Sequence, residues 1–115
     1  MHHDNTVIYQ RSLELVRLVK DVIDQMPSGY GFLADQLRRA ASSVALNFSE
    51  GYGKSTPADQ RRFFRIARGS AYEVAAAFDV GLGFGAIGAT HHAAGKDICD
   101  HLAAMLTKFR NPVRR

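Results

Sequence analysis

The chain has 115 residues, of which 46% are apolar and 23% are charged. This length and composition predict one globular domain and exclude a disordered chain. A net charge of +4 and an isoelectric point near 9.6 favour polyanionic partners over basic ones. The single cysteine, Cys99, excludes an internal disulfide, and no stretch reaches the ~18 apolar residues of a membrane span. We therefore expect a cytoplasmic protein without a signal peptide.

Two helices are predicted in the first half of the chain, where apolar residues recur every three and four positions. The first covers residues 5–26, and Pro27-Ser28-Gly29 ends it. Its core face consists of Ile8, Ser12, Leu15, Val19, Val22, Ile23 and Met26. The second covers residues 31–52 and ends at Gly51-Tyr52-Gly53. Its core face consists of Leu33, Leu37, Ala40, Ala41, Val44 and Phe48.

Two further helices are predicted in the second half. Thr56 is the expected N-cap of the third, residues 57–82, with Pro57 in its first turn. Its core face consists of Phe63, Ile66, Ala67, Ser70, Val74, Ala77 and Phe78. A glycine-rich segment, residues 81–88, ends it, and Thr90 is the expected cap of a fourth helix over residues 91–110. The core face of the fourth consists of Ile98, Leu102, Met105, Leu106 and Phe109.

Four helices of this length with short connections predict an all-α fold, an up-down-up-down four-helix bundle. Alanine is frequent where helices two and three would meet, which lets their axes approach closely. Several apolar residues lie off the core faces, namely Tyr9, Leu13, Leu46 and Phe64. A group of exposed apolar residues on one small domain indicates a contact between subunits.

The corner between helices two and three contains Gly53-Lys54-Ser55, which resembles the end of a phosphate-binding loop. Such a loop needs a glycine five positions before Gly53 and follows a strand. Phe48 occupies that position and a helix precedes the corner, so the spacing argues against a nucleotide site. Binding of one nucleic-acid phosphate by Lys54, Ser55, Thr56 and the free amides of helix three stays open as an alternative.

A basic stripe on helix three is the most informative charged pattern, with spacings of four, three and four residues. It consists of Arg61, Arg65, Arg68 and Tyr72. Arginine matches phosphate geometry and tyrosine stacks on bases, so the stripe is predicted to bind nucleic-acid backbone. Arg38 and Lys54 are expected to add to this surface. The alternative is a solvated face that keeps the protein soluble.

A second polar set lies at the predicted seam between helices two and three. Its members are Arg39, Asn47, Glu50, Arg62, Ser70 and Glu73. We expect a hydrogen-bond network that fixes helix register, in which Arg39 or Arg62 pairs with the glutamates. The alternative is a pair of carboxylates that performs acid–base chemistry or holds a metal.

Metal binding and catalysis have little support in the sequence. Neither Glu50 nor Glu73 carries the Glu-x-x-His pair of carboxylate metal bundles. The adjacent His91 and His92 point about 100° apart on a helix and do not easily share one ion. We therefore predict no catalytic residue, no metal and no cofactor.

An ordered series of motifs runs from Tyr30 to Glu73. It reads YG at 30, QLRRAASSV at 36, NFSEGYGK at 47, Asp59, RFF at 62 and IARGSAYE at 66. This series resembles the four-helix-bundle family encoded in intervening sequences of 23S rRNA genes, to which the accessory protein of diversity-generating retroelements is similar. The glycines of residues 81–88 and the pair His91-His92 depart from that pattern.

The resemblance implies a left-handed four-helix bundle that assembles as a ring-shaped homo-oligomer, typically a homopentamer, without catalytic activity. For the retroelement relatives it implies binding of nucleic acid and of a reverse transcriptase. Two functions are therefore weighed. One is a non-enzymatic oligomer that binds RNA or DNA backbone through basic surfaces. The other is a protein-binding scaffold or accessory subunit, for example for a reverse transcriptase.

Overall fold

Four α-helices make up the fold in the computed structural model, which describes residues 6–109, and that range contains no strand. They are α1 Val7–Gln25, α2 Gly31–Tyr52, α3 Pro57–Phe84 and α4 Ala89–Lys108. Both α1 and α3 pack against α2 and α4. The predicted all-α class is therefore confirmed. Within the described range, none of the helices is both long and apolar enough to cross a membrane.

The corner between α2 and α3 is built by ordinary helix-capping chemistry. Gly53 follows the last turn of α2, and its N–H donates to the carbonyl of Ser49 at 3.3 Å. The Thr56 hydroxyl accepts a hydrogen bond from the Asp59 N–H at 3.2 Å. Pro57 occupies the first turn of α3, where its missing N–H costs nothing. The predicted cap at Thr56 is confirmed.

The start of α4 differs from the prediction. The helix begins at Ala89, and Gly88 rather than Thr90 is its N-cap. The carbonyl of Gly88 already accepts the first helical hydrogen bond, from the His92 N–H at 2.9 Å. Thr90 therefore lies inside the first turn and cannot act as the cap. The helix ends at Lys108, and residue 110, where the prediction ended it, lies outside the described residues.

The glycine-rich segment is helical for longer than predicted, because α3 continues to Phe84 rather than ending at residue 82. Gly85 ends the helix with a φ of 75°, in the left-handed region that favours glycine. Its N–H donates to the carbonyl of Leu82 at 3.0 Å. Ala86 and Ile87 then turn back into the core.

The core face of α3 is rotated at its beginning relative to the prediction. Phe64, expected at a subunit contact, is only 6% exposed, whereas Ile66, expected in the core, is 41% exposed. The Phe64 ring stacks on Phe48 with centroids 5.5 Å apart and meets the edge of Phe109 at 5.4 Å. Burial against these rings favours Phe64 over Ile66 as the core residue at this level.

Candidate nucleic-acid interface

Three arginines of the predicted basic stripe line one groove between α3 and α4. Spacings of four and three residues place Arg61, Arg65 and Arg68 on one side of α3, and that side borders α4. Thr107 of α4 completes the polar lining, and the groove has a volume of about 100 Å³. A space of this size can accommodate a small anionic group.

Arg68 is held in place by α4. Its Nη1 donates a hydrogen bond to the Thr107 hydroxyl at 3.0 Å, and that hydroxyl donates to the carbonyl of Ala103 at 2.9 Å. The two bonds hold the Arg68 guanidinium against Thr107 in the lining of the groove. Because a guanidinium carries five N–H donors, the contact with Thr107 leaves others to meet a ligand.

Arg61 and Arg65 are exposed, and neither forms an ion pair or a hydrogen bond with another residue of the range 6–109. Their charges are therefore not neutralised by the described part of the chain. Phe64, Leu106 and Phe109 form the apolar side of the same groove. An apolar wall lowers the local dielectric constant and strengthens the attraction of these cations for an anion.

Tyr72, Arg38 and Lys54 do not line this groove. Tyr72 is exposed on α3, four residues beyond Arg68. Arg38 pairs with Asp35 at 3.1 Å and lines a separate depression between α1 and α2.

Lys54 pairs with Glu50 at 3.0 Å, and its Nζ lies 5.1 Å from the centre of the Phe63 ring. This pairing neutralises the charge at the α2–α3 corner. It weakens the idea that the corner holds a phosphate.

At the seam between α2 and α3, Asn47 and Ser70 are brought together by a third residue, Ser43. The Ser43 hydroxyl accepts hydrogen bonds from Asn47 Nδ2 and from Ser70 Oγ, each at 2.8 Å. Asn47 Nδ2 also donates to the Ser43 carbonyl at 2.9 Å. These bonds link the two helices at one height.

The other members of the predicted seam network lie apart from this link. Glu73 accepts a long hydrogen bond of 3.5 Å from Gln36. The Arg62 guanidinium lies 4.4 Å from the centre of the Phe63 ring. Arg39 is exposed and has no hydrogen-bonding or ionic partner among residues 6–109. Neither arginine pairs with a glutamate in the structure, since Glu50 binds Lys54 and Glu73 accepts its hydrogen bond from Gln36.

A charged cluster that the sequence did not reveal joins α3 to α4. Asp79 Oδ1 lies 2.8 Å from His92 Nε2, and Asp79 Oδ2 lies 2.9 Å from Lys96 Nζ. Hydrogen bonds from His92 and Lys96 hold the pKa of Asp79 below its ordinary value, and the bond to Asp79 raises the pKa of Lys96. Nearby, burial raises the pKa of the Cys99 thiol to about 12.

Sequence reasoning missed Ser43, Thr107 and Asp79 for one reason. Each makes a contact between helices with a residue 13 to 39 positions away. A local pattern carries no signal for such contacts. In the described part of the chain, no group of three or more His, Cys, Asp or Glu side chains is placed to hold a metal ion.

Comparison with known proteins identifies the family. The profile of the 23S rRNA-intervening sequence proteins matches residues 4–108. A protein of unknown function from the S23 ribosomal protein family of Bacteroides thetaiotaomicron has a similar solved structure, with a TM-score of 0.80. The two are 17% identical over 87% of this chain and 94% of that chain, so the likeness concerns the fold alone. Comparison with curated sequences gave no match. The resemblance seen in the motifs is confirmed, and the chain belongs to the family of 23S rRNA-intervening sequence proteins.

Proposed function

We propose that this protein is a non-enzymatic, oligomeric four-helix bundle that binds the backbone of RNA or DNA through the groove between α3 and α4. One observation carries the proposal. Arg61 and Arg65 are exposed without an acidic partner in residues 6–109, and they share the groove with Arg68, which Thr107 orients. Guanidinium groups match phosphate oxygens in a planar, bidentate geometry.

The spacing of the arginines suits consecutive phosphates. Residues 61 to 68 cover about 10 Å of the helix axis, at about 1.5 Å per residue. That length corresponds to roughly three nucleotides of one duplex strand, at about 3.4 Å each. Contacts of this kind go to the backbone, so they provide affinity with little sequence preference.

The contacts between helices support an up-down-up-down arrangement that concentrates positive charge at one end. Arg68 meets Thr107, near the end of α4, whereas Asp79 meets Lys96, nearer its beginning. The start of α3 and the end of α4 therefore lie together. Cations outnumber anions there, because this region contains Lys54, Arg61, Arg62, Arg65, Arg68 and Lys108 against Glu50 and Asp59.

Assembly completes the proposal. The family resemblance implies a left-handed bundle and a ring-shaped homo-oligomer, typically a pentamer. The single thiol of Cys99 favours a reducing cytoplasm as its location. A ring repeats the arginine groove once per subunit. Several grooves that engage one nucleic acid raise its apparent affinity without any new contact.

The test is a triple charge reversal in the groove, Arg61→Glu, Arg65→Glu and Arg68→Glu. The matched control, Arg17→Glu, Lys20→Glu and Arg38→Glu, changes the net charge equally on the α1 and α2 side. We expect fluorescence anisotropy with a mixed-sequence RNA to show a salt slope reduced by about three in the groove variant. The control is expected to keep the slope of the natural protein.

Two results would refute this function. One is the absence of RNA and DNA binding by the natural protein at low salt. The other is a groove variant that binds as tightly as the natural protein. Equal losses in both triple variants would assign binding to net charge rather than to the groove.

A protein-binding scaffold is the second candidate, favoured by an aromatic cluster between the start of α2 and the end of α3. The rings of Tyr30, Phe32 and Phe84 lie 5.8 to 6.2 Å apart, and Phe32 and Phe84 are more than half exposed. Exposed aromatic residues are enriched at protein interfaces. A partner such as a reverse transcriptase would then lose binding on Phe84→Ala substitution. Affinity purification that recovers nucleic acid without a stable protein partner counts against the scaffold.

A further inference from the structure

The outer sides of α2 and α3 carry large apolar residues that the fold does not bury. Phe32 and Leu46 on α2, and Ile66 and Val80 on α3, are between 41% and 68% exposed. The members of each pair are 14 residues apart, which is close to four helical turns, so each pair lies on one side of its helix. An apolar stripe that a bundle leaves exposed is a candidate contact surface.

Opposite charges lie midway along the two stripes. Arg39 is seven residues from both Phe32 and Leu46, and Glu73 is seven residues from both Ile66 and Val80. Both side chains are exposed, and Arg39 has no ionic partner among residues 6–109. Each stripe therefore reads apolar, charged, apolar, with a positive centre on α2 and a negative centre on α3.

The two stripes are in register along the bundle. Ser43 contacts Ser70, and Gln36 contacts Glu73. At successive heights along the bundle, residue numbers therefore decrease on α2 as they increase on α3. Extending this pairing places Leu46 at about the height of Ile66, Arg39 at that of Glu73, and Phe32 at that of Val80.

A rotation about an axis parallel to the helices leaves the height of every residue unchanged. If α2 of one copy meets α3 of the next by such a rotation, residues at equal height face each other across the contact. Apolar residues then meet apolar residues at both ends, and Arg39 meets a glutamate in the middle. An α2–α3 contact of this kind fits a closed ring, in which each copy makes it once with each neighbour, and a two-fold dimer, in which it is made twice.

Gly69 supplies an independent observation. It lies on the α3 stripe between Ile66 and Glu73, and a Cβ built there meets no atom within 4 Å. Packing within the chain therefore does not require a glycine, although glycine in the middle of a helix lowers its stability. A missing side chain at this position lets a neighbouring helix approach closely.

We propose that neighbouring copies of this chain assemble through α2 of one copy and α3 of the next. Leu46 packs on the partner's Ile66, Arg39 pairs with the partner's Glu73, and Phe32 packs on the partner's Val80. With 28 residues, α3 is about 42 Å long, enough to extend along an interface of the standard ~800 Å² per partner. The inference rests on the oligomeric part of the proposed function and is independent of the arginine groove.

Charge exchange tests the contact. The masses of the full chain and of the variants Arg39→Glu, Glu73→Arg and the double exchange are measured by light scattering over a range of concentrations. We expect each single reversal to raise the dissociation constant at least about tenfold, because it places like charges in contact. The double exchange restores assembly. Arg17→Glu, an exposed reversal on α1, is the matched control and leaves the mass unchanged.

A steric variant guards against an ambiguous charge result. Gly69→Trp fills the open position on α3, so we expect it to dissociate the oligomer while circular dichroism shows an intact helical fold. If the natural protein is an oligomer and none of these variants dissociates it, the proposed contact surface is wrong, whereas oligomerisation itself is supported. A chain that is monomeric at every concentration overturns both, whereas RNA binding by the groove is decided separately by the triple arginine variant. Failure of the double exchange to restore assembly overturns the pairing of Arg39 with Glu73.

Discussion

Replacement of Gly95 by alanine is predicted to destabilise the protein, although alanine is the better helix former. Gly95 lies inside α4, and a Cβ there would be 2.6 Å from the Cε1 and Cζ atoms of Phe78. Phe78 is fully buried, so its ring has no free space into which it can move. Overpacking costs about 1–3 kcal/mol, and the gain in helix propensity is up to about 1 kcal/mol. With three ring atoms in the way, we expect a net loss of about 2 kcal/mol in the free energy of unfolding.

Gly69→Ala is the matched control, because the same substitution in α3 meets open space. Here only the helix propensity changes, and we expect a gain of about 0.5–1 kcal/mol. Urea denaturation followed by circular dichroism measures both variants, at a dilution where the chain does not associate. The two substitutions should therefore change stability in opposite directions. A Gly95→Ala protein as stable as the natural one would refute the contact between Gly95 and Phe78.

Three further predictions follow from the packing and the electrostatics. Phe48→Ala is expected to cost about 3–5 kcal/mol in urea denaturation, because its fully buried ring contacts three other aromatic rings; a cost below 1 kcal/mol would contradict this. Asp79→Asn removes the carboxylate charge that faces His92 and Lys96. The folded state lowers the pKa of Asp79 from 3.8 and raises that of Lys96 from 10.5. The stability gap between natural and variant protein should therefore be largest between these two pKa values. The gap should close at acid pH, as the pH falls below about 3.8 and Asp79 is protonated, and at alkaline pH, as the pH rises above about 10.5 and Lys96 loses its proton. A gap that does not depend on pH contradicts this. Cys99 is buried with a pKa near 12, so iodoacetamide at pH 8 should label it only after unfolding, and rapid labelling of the native protein would show the burial to be wrong.

Much of the fold was readable from local patterns. The predicted core faces of α1 and α2 are buried over most of their length, because the positions of apolar residues along a helix determine which of them share a side. Thr56 and Pro57 predicted the start of α3, because a helix N-terminus is stabilised by residues next to it in sequence. The stripe of Arg61, Arg65 and Arg68 was predicted for the same reason, since it lies on one helix.

The candidate site was only half predictable. The sequence indicated the arginines, but not Thr107, which orients Arg68 from α4, nor that Glu50 would neutralise Lys54 rather than join a seam network. A solvent-facing side chain has several oppositely charged groups within reach. The relative positions of the helices select among them.

By itself the sequence determined four helices, the start of α3 at Thr56 and Pro57, the family and a basic stripe on α3, all of which depend on residues close together along the chain. Tertiary structure alone decided that Phe64 rather than Ile66 enters the core, that Ser43 joins α2 to α3, and that the stripe borders α4. The physical reason is that periodicity specifies which residues share a helix face but not how far the helix is rotated. That rotation is set by the side chains of the neighbouring helices, here the rings of Phe48 and Phe109 against Phe64.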